Sequence, residues 1–318
     1  MLRSFLIYLS KAAWARNLVM NWSFAWRAAS RFVAGEKLED AIRAVRELNA
    51  KGINATLDHL GEHTHTPDEA RKATGDILAM FEAIDQAGVR ANVSIKLTQI
   101  GLALDEDLCA ENLETILKCA RQYDSFVRID MEDVPYTDVT LKLFRRMLVE
   151  KGYPVGIVIQ SYLYRSEEDI RTIIQDGGRV RLCKGAYKEP PEVAFPKKKD
   201  VDANYDLLAD HLMDAALETN SRLRTDGRIP PVPGLATHDE QRIEHALAYA
   251  RKIGLPKEGV EFQMLYGIRR DLQESLASQG YPVRIYVPYG SQWYPYFTRR
   301  LAERPANVWF FISNFFRK

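Results

Sequence analysis

The sequence has few cysteines, no long apolar run and no surplus of charge of one sign. Cys109, Cys119 and Cys183 are the only three in 318 residues. They are too few and too scattered for a disulfide framework or a zinc cage, and they point to a reducing, cytoplasmic setting. No apolar stretch approaches the roughly 20 residues that a membrane-spanning helix needs. Lys and Arg number 44 against 43 Asp and Glu, a balance that argues against a general nucleic-acid binder. Several signature loops are missing too: there is no G-x-G-x-x-G, G-x-x-x-x-G-K-[ST], H-E-x-x-H, G-x-S-x-G or paired C-x-x-C. Rossmann-type dinucleotide binding, Walker-type NTP hydrolysis and α/β-hydrolase chemistry therefore lack support.

What is present is a globular composition, with hydrophobic residues at 46% and charged residues at 27%, which rules out disorder and low complexity. The length suits two ordinary domains, or one α/β barrel of about 250 residues with an extension. From about residue 53 onward, β-rich runs alternate with helical patterns. The runs are 55–58, 92–96, 126–130, 155–159, 179–182, 234–237, 260–264 and 283–286, mostly short and apolar, as suits a parallel sheet buried on both faces. The intervals carry helix signals. Thr66-Pro-Asp-Glu69 reads as a capping box, and apolar residues recur from Ala70 to Ile84 before Gly88. Further helices are predicted at 107–123, 138–151, from Ser166, and at about 202–220, 239–253, 268–279 and 291–303. Eight alternations predict a (βα)8 barrel in one domain over 53–318, with residues 1–52 as an N-terminal helical extension. Alternation alone does not close a sheet, so a doubly wound fold stays open.

In such a barrel the active site forms at the carboxyl ends of the strands. There the sequence places Asp58 with Glu62, then Lys96, Asp130, Gln160, Lys184, Thr237-His238, Leu265 and Tyr286. Polar groups directly abutting buried strands are costly without a purpose, although loops are polar in any case. Arg299-Arg300 lies in the last helix beside this mouth. Two guanidinium forks suit a carboxylate, but a doubled arginine is also what a solvated face presents. Arg181 falls inside a buried strand with Lys184 after it, and the two need either an anionic ligand or an ion pair with Asp130 or Glu132. His59, His63 and His65 fall within seven residues. His63 and His65 resemble the paired ligands of metal-dependent barrel hydrolases, but Lys184 and Tyr286 at other strand ends are poor ligands for a divalent metal.

At this point whole strings match. EFQMLYGI (261–268), VRIYVPYGSQWYPYFTRRLAERPANV (283–308), RLCKGAYKEP (181–190) and IQSYLYRSEED (159–169) resemble the monofunctional bacterial proline dehydrogenases. LDHLGE (57–62), SIKLTQ (94–99), RIDMED (128–133) and ATHDE (236–240) follow the same pattern, so the resemblance covers roughly residues 40–308. It implies a distorted (βα)8 barrel with its last helix over the mouth, FAD at the strand ends, and oxidation of L-proline to Δ1-pyrroline-5-carboxylate. That is the first step of proline catabolism to glutamate, with electrons passed to a quinone and the product to a pyrroline-5-carboxylate dehydrogenase. Residue by residue, it implies that Lys96, Arg299 and Arg300 bind the proline carboxylate. Tyr286, Tyr296 and Leu265 wall the ring, and Tyr187 lies against the pocket. Asp130 and Arg181 are implied as catalytic, Arg181 beside the hydride-accepting nitrogen. Glu62 is implied as a gate pairing with Arg299. Met131, Gln160, Lys184, Gly185, Ala186, Thr237, His238 and Glu303 match cofactor contacts. Cys183 stands where an aliphatic residue is usual, and no redox meaning attaches to it.

The balanced charge is unevenly spread. Residues 1–35 hold Arg3, Lys11, Arg16, Arg27 and Arg31 without one acid, together with Trp14, Trp22 and Trp26. The chain ends on Val308-Trp-Phe-Phe-Ile312 and Phe315-Phe316 before Arg317-Lys318. Both segments are too short to span a bilayer but suit its interface, and a peripheral position on the inner face of the cell membrane is one expectation. Packing on the barrel is the other. Two alternative functions stand beside the main one: a metal-dependent hydrolase using His63 and His65, and a non-catalytic membrane-binding barrel.

Overall fold

A computed structural model describes residues 23–61 and 64–303, with the side chains of 23–25 and 302–303 excepted. Eight parallel strands close into a barrel in sequence order: β1 Asn54–His59, β2 Ala91–Ile95, β3 Val127–Ile129, β4 Val155–Gln160, β5 Arg179–Cys183, β6 Pro233–Ala236, β7 Glu261–Leu265 and β8 Val283–Tyr289. Closure comes from β8 pairing with β1, from Asn54 opposite Arg284 to His59 opposite Tyr289. This settles the open choice against a doubly wound sheet.

The helices are α1 Ser23–Ala29, α2 Leu38–Ala50, α3 Pro67–Ala87, α4 Glu106–Gln122, α5 Val134–Arg145, α6 Ser166–Gln175, α7 Lys198–Glu218, α8 Glu240–Ile253, α9 Arg270–Ser278 and α10 Trp293–Glu303. In α3, buried Ala70, Thr74, Ile77, Phe81 and Ile84 repeat at three- and four-residue spacing. They form one stripe against the strands, and full burial of a large apolar side chain contributes about 1.5–3 kcal/mol. The α3 start differs from a simple capping box. Thr66 Oγ1 accepts from the Glu69 N–H, but the Glu69 carboxylate accepts from the His65 N–H at 2.7 Å, one residue earlier than the pattern requires. Gly88 ends the helix at φ 61°, a left-handed turn that costs glycine little. α2, read as part of the extension, packs on β1 and β8.

Side chains alternate along each strand, and here the two faces have opposite characters. The outward face is apolar: Leu57, Val93, Ile95, Ile129, Ile157, Leu182, Phe262 and Ile285 join the helices in one buried cluster. The inward face is largely polar. Thr56 bonds Asn92, Ser94 bonds Asp130, Arg181 bonds Gln263, and Arg284 bonds Glu261. Two strand glycines leave room for this filling. A Cβ on Gly156 would stand 2.5 Å from Arg128 Nη1, and one on Gly234 would stand 2.4 Å from Gln263 Nε2.

The two ends of the interior are closed differently. The loop between α7 and β6 plugs the amino-terminal end, where carbonyls of Gly227 and Arg228 accept from Arg284 and Asn92. At the carboxyl end, α10 follows β8 and packs with α1. Trp293, Tyr294, Tyr296, Phe297 and Leu301 join Ala29, Phe32, Val33 and Leu60 in a second apolar cluster. Leu60 directly follows β1, so this cluster sits at the mouth.

Candidate active site

Six strands deliver one hydrogen-bonded cluster, with four charged side chains, to the mouth. Lys96 follows β2, and its ammonium donates to both oxygens of Asp58 (3.1 and 3.3 Å), to Asp130 Oδ2 (3.4 Å) and to the Tyr286 hydroxyl (3.1 Å). The Tyr286 phenol donates in turn to Asp130 Oδ2 at 2.7 Å. Arg181 Nη1 donates to Asp130 Oδ1 and to Ser94 Oγ, both at 2.9 Å, while its Nε donates to Gln263 Oε1 at 2.5 Å. The guanidinium carbon also lies 5.3 Å from the centre of the Tyr286 ring. The ion pair left open for Arg181 is therefore made with Asp130. Glu132 turns away and accepts from the backbone and hydroxyl of Thr98.

Burial shifts two members of this cluster, Asp58 and Tyr286. It pushes the Asp58 carboxyl above its ordinary value. The Lys96 charge works against that, while the Asp130 charge adds to it. The Tyr286 phenol is driven far above its ordinary value by burial, and then by the negative charges of Asp130 and Asp58. It remains a donor throughout the physiological range. Asp58 was legible only as the end of strand one. Its place as the nearest carboxylate to Lys96 was not, and neither were the parts of Ser94 and Gln263.

A second cluster lies beside the loop after β5. Lys184 donates to Asp202 (2.5 Å) and to Asp239 (2.6 Å), and Lys198 also bonds Asp202. Burial works upward on both carboxyls, but the hydrogen bonds and positive charges of the neighbouring lysines together outweigh it and hold them below their ordinary values. Thus Lys198, from the run Lys197-Lys198-Lys199, clamps the start of α7. Sequence gave no sign of this pairing, because Asp202 enters from a helix and not from a strand end. Burial pushes the Cys183 thiol up to about 12, as suits an inert side chain.

The remaining expected residues fall around these two clusters. Gln160 and Met131 are buried and joined, with Gln160 Nε2 donating to the Met131 carbonyl at 3.4 Å. Thr237 is buried, and its hydroxyl accepts from the Asp239 N–H. His238 Nε2 accepts from the Leu265 N–H at 3.0 Å, which leaves the proton of the neutral ring on Nδ1. Gly185 turns at φ 107°, with Ala186 and Tyr187 exposed beyond it. Tyr296 is buried in α10, and half-buried Arg300 stands over its ring with 5.0 Å to the centroid; Arg299 is half-buried beside it. Tyr286 lies inside β8 and not at its end, since β8 runs on through Pro288 to Tyr289. Glu62 and His63 lie outside the described residues, as does the side chain of Glu303. Among the described residues no group of three or more His, Cys, Asp or Glu side chains is placed to hold a metal ion.

Comparison with known proteins takes this geometry further. A family model, proline dehydrogenase, matches residues 41–312. The proline dehydrogenase of Deinococcus radiodurans is 44% identical over 292 residues, covering 91% of this chain and 90% of that one. Proline dehydrogenase 2 of Bacillus subtilis strain 168 is 37% identical over 317 residues, covering 99% of each. Among solved structures, proline utilization A from Bdellovibrio bacteriovorus superposes with a TM-score of 0.78 at 26% identity, over 88% of this chain and 33% of that one. The chain thus spans about a third of that longer protein. No support appears for the hydrolase built on His63 and His65. An eight-stranded barrel whose mouth gathers Lys96, Asp130, Arg181 and Tyr286, matched over so much of its length, belongs to the proline dehydrogenase family.

Proposed function

We propose that this chain oxidises L-proline to Δ1-pyrroline-5-carboxylate with FAD held at the barrel mouth, as the first step of proline catabolism to glutamate. The observation that carries the reading is the cluster of Lys96, Asp130, Arg181 and Tyr286, fixed by one another inside a barrel of this family. FAD, when bound, supplies the two-electron acceptor that no side chain here can replace. The chain's residues fit such a group. Gln160 Oε1 is buried at the end of β4 without a hydrogen-bond partner, and an orphan acceptor of this kind calls for a donor from a ligand. Gly185 bends the next strand end at φ 107°, where a Cβ would stand 2.4 Å from the Tyr162 ring. Met131, Gln160, Lys184, Gly185, Ala186, Thr237, His238 and Glu303 would hold the cofactor.

The substrate needs three things from the protein. Its carboxylate needs cations, which Lys96, Arg299 and Arg300 supply. Its ring needs a shaped wall, from Tyr286, Tyr296 and Leu265, with Tyr187 at the edge and Glu62 closing the entrance. Its nitrogen must be neutral before the adjacent ring carbon gives up a hydride, because an ammonium has no lone pair to form the new C=N bond. A mouth crowded with cations disfavours the protonated amine. Asp130 holds Arg181 by its Nη1, and the arginine would offer a bound, reduced cofactor a fixed positive charge.

Electrons then pass to a quinone, and the product to a pyrroline-5-carboxylate dehydrogenase. Ala29, Phe32 and Val33 pack on α10, so within residues 1–35 it is the cationic composition of 1–22, with Trp14 and Trp22, that together with the apolar stretch from Val308 supports a peripheral membrane contact. Among the described residues no helix is long and apolar enough to cross a membrane. Deleting 1–20 or 308–318 should reduce liposome binding, and unchanged binding by both would refute the contact. The main reading is tested by the visible spectrum of the purified protein: flavin bands should bleach with L-proline, and a colourless protein would refute it. Arg299→Met and Arg300→Met should each weaken proline binding.

A further inference from the structure

Arg181 is held from below as well as from the side. Its Nε donates to Gln263 Oε1 at 2.5 Å, and Gln263 Nε2 donates to Glu261 Oε1 at 2.7 Å. Glu261 is gripped by Arg284 on both oxygens, at 2.8 and 3.0 Å, and Arg284 also donates to the carbonyls of Ala55 and Gly227. An unbroken hydrogen-bonded chain thus runs from the plugged end of the barrel to Asp130 at the mouth. Every member below Asp130 is buried: Arg181 is 7% exposed, Gln263 4%, Arg284 1% and Glu261 0%.

The chain fixes the direction of the amide. A carboxylate gripped by two guanidinium N–H groups only accepts, so the amide NH2 must face Glu261. The amide oxygen is then forced toward Arg181. The reverse orientation would set N–H against N–H at Arg181 and oxygen against oxygen at Glu261. Gly234 on the neighbouring strand makes the space, since a Cβ there would come within 2.4 Å of the amide nitrogen. Ser94 and Asp130 bind only Nη1 of Arg181. They fix one edge of the guanidinium, and the bond at Nε is the second hydrogen-bonded point that sets its plane.

We propose that Gln263 is the positioning residue of Arg181: oriented by the Glu261–Arg284 pair, it fixes the guanidinium plane that faces the cofactor site. This rests on the reading of Arg181 given above. The test is Gln263→Met, which keeps volume and removes both polar functions, read by the flavin midpoint potential and by the kcat and KM for proline. The potential should fall, because the cation that stabilises the reduced ring is no longer fixed. The kcat should drop by about tenfold while KM holds, and Gln263→Met should add nothing in an Arg181→Met background. Gly234→Ala, which pushes on the same amide from the next strand, should move potential and kcat the same way by less, and it serves if Gln263→Met does not fold. A fall in thermal stability with unchanged potential and kcat in both variants would overturn the proposal. So would an additive effect in the double variant. If the parent protein carries no flavin, or its flavin does not bleach with proline, the functional reading itself fails.

Discussion

The two ends of the barrel interior hold the same kinds of charged group and use them differently. At the plugged end Glu261 and Arg284 are sealed, and four hydrogen bonds satisfy the guanidinium. At the mouth Lys96 shares its ammonium among Asp58, Asp130 and Tyr286, and the side chains of Lys96 and Asp130 keep 13% exposure. A sealed and saturated pair has no capacity left for a ligand, so it acts first on the fold and reaches the mouth only through the Gln263 amide that it orients. A shared, slightly open pair can trade one partner for a substrate group. Removing a partner at the plugged end should therefore register in stability, and removing one at the mouth should register in catalysis.

The sharpest way to break this contrast is Glu261→Gln. It leaves Arg284 buried without a counter-charge and should cost about 3–5 kcal/mol in urea unfolding. A loss below 1 kcal/mol would mean that the plugged end is no more structural than a surface pair. The counterpart at the mouth is Arg181→Met. It should lower kcat by about 10²–10³-fold, the order expected when a preorganised charge at the developing anion is removed, with a smaller stability loss than Glu261→Gln. Unfolding as severe as that of Glu261→Gln would erase the distinction. Tyr286→Phe comes next. It deletes the 2.7 Å bond to Asp130 and the partner of Lys96. Proline KM should rise by about tenfold, corresponding to roughly 1.4 kcal/mol, and an unchanged KM would remove Tyr286 from the pocket.

Much of this contrast was legible in the sequence, and the illegible part has a physical cause. Most strands betrayed themselves by an apolar run between turn signals, and except at Leu265 of strand seven a polar residue at the run's end pointed to the mouth. Strand eight read short because Pro288 interrupts the run. In the structure Pro288 takes a place in β8 opposite Asp58, and its carbonyl accepts from the Ala34 N–H at 2.9 Å. The polar filling was written in plain view as Arg128, Arg181, Glu261, Gln263 and Arg284 inside apolar runs. Which of them would touch was not, since cross-barrel partners depend on strand register and tilt. Arg181 meets Ser94 from 87 positions away and Gln263 from 82. Lys184 meets Asp202 for a similar reason, through a helix docking that no local pattern encodes.

Asp58 gives the finest test, because it stands at the mouth yet is as buried as the plugged end, at 0% exposure. Burial holds its carboxyl above the ordinary value of 3.8, against the pull of Lys96. In the unfolded chain the same carboxyl returns to its ordinary value. Below that value it is neutral in both states, and its contribution to the fold is fully present. As pH rises through the raised folded value, the native state must lose its proton into a buried site, and that contribution is lost. Wild-type stability relative to Asp58→Asn should therefore decline with pH, beginning just above 3.8 and levelling once the folded carboxyl has ionised. Urea unfolding of both proteins from pH 4 to pH 8 measures the difference directly. A difference that grows with pH would mean that the Lys96 charge, and not burial, governs Asp58. The mouth would then hold a saturated ion pair like the one at the plugged end.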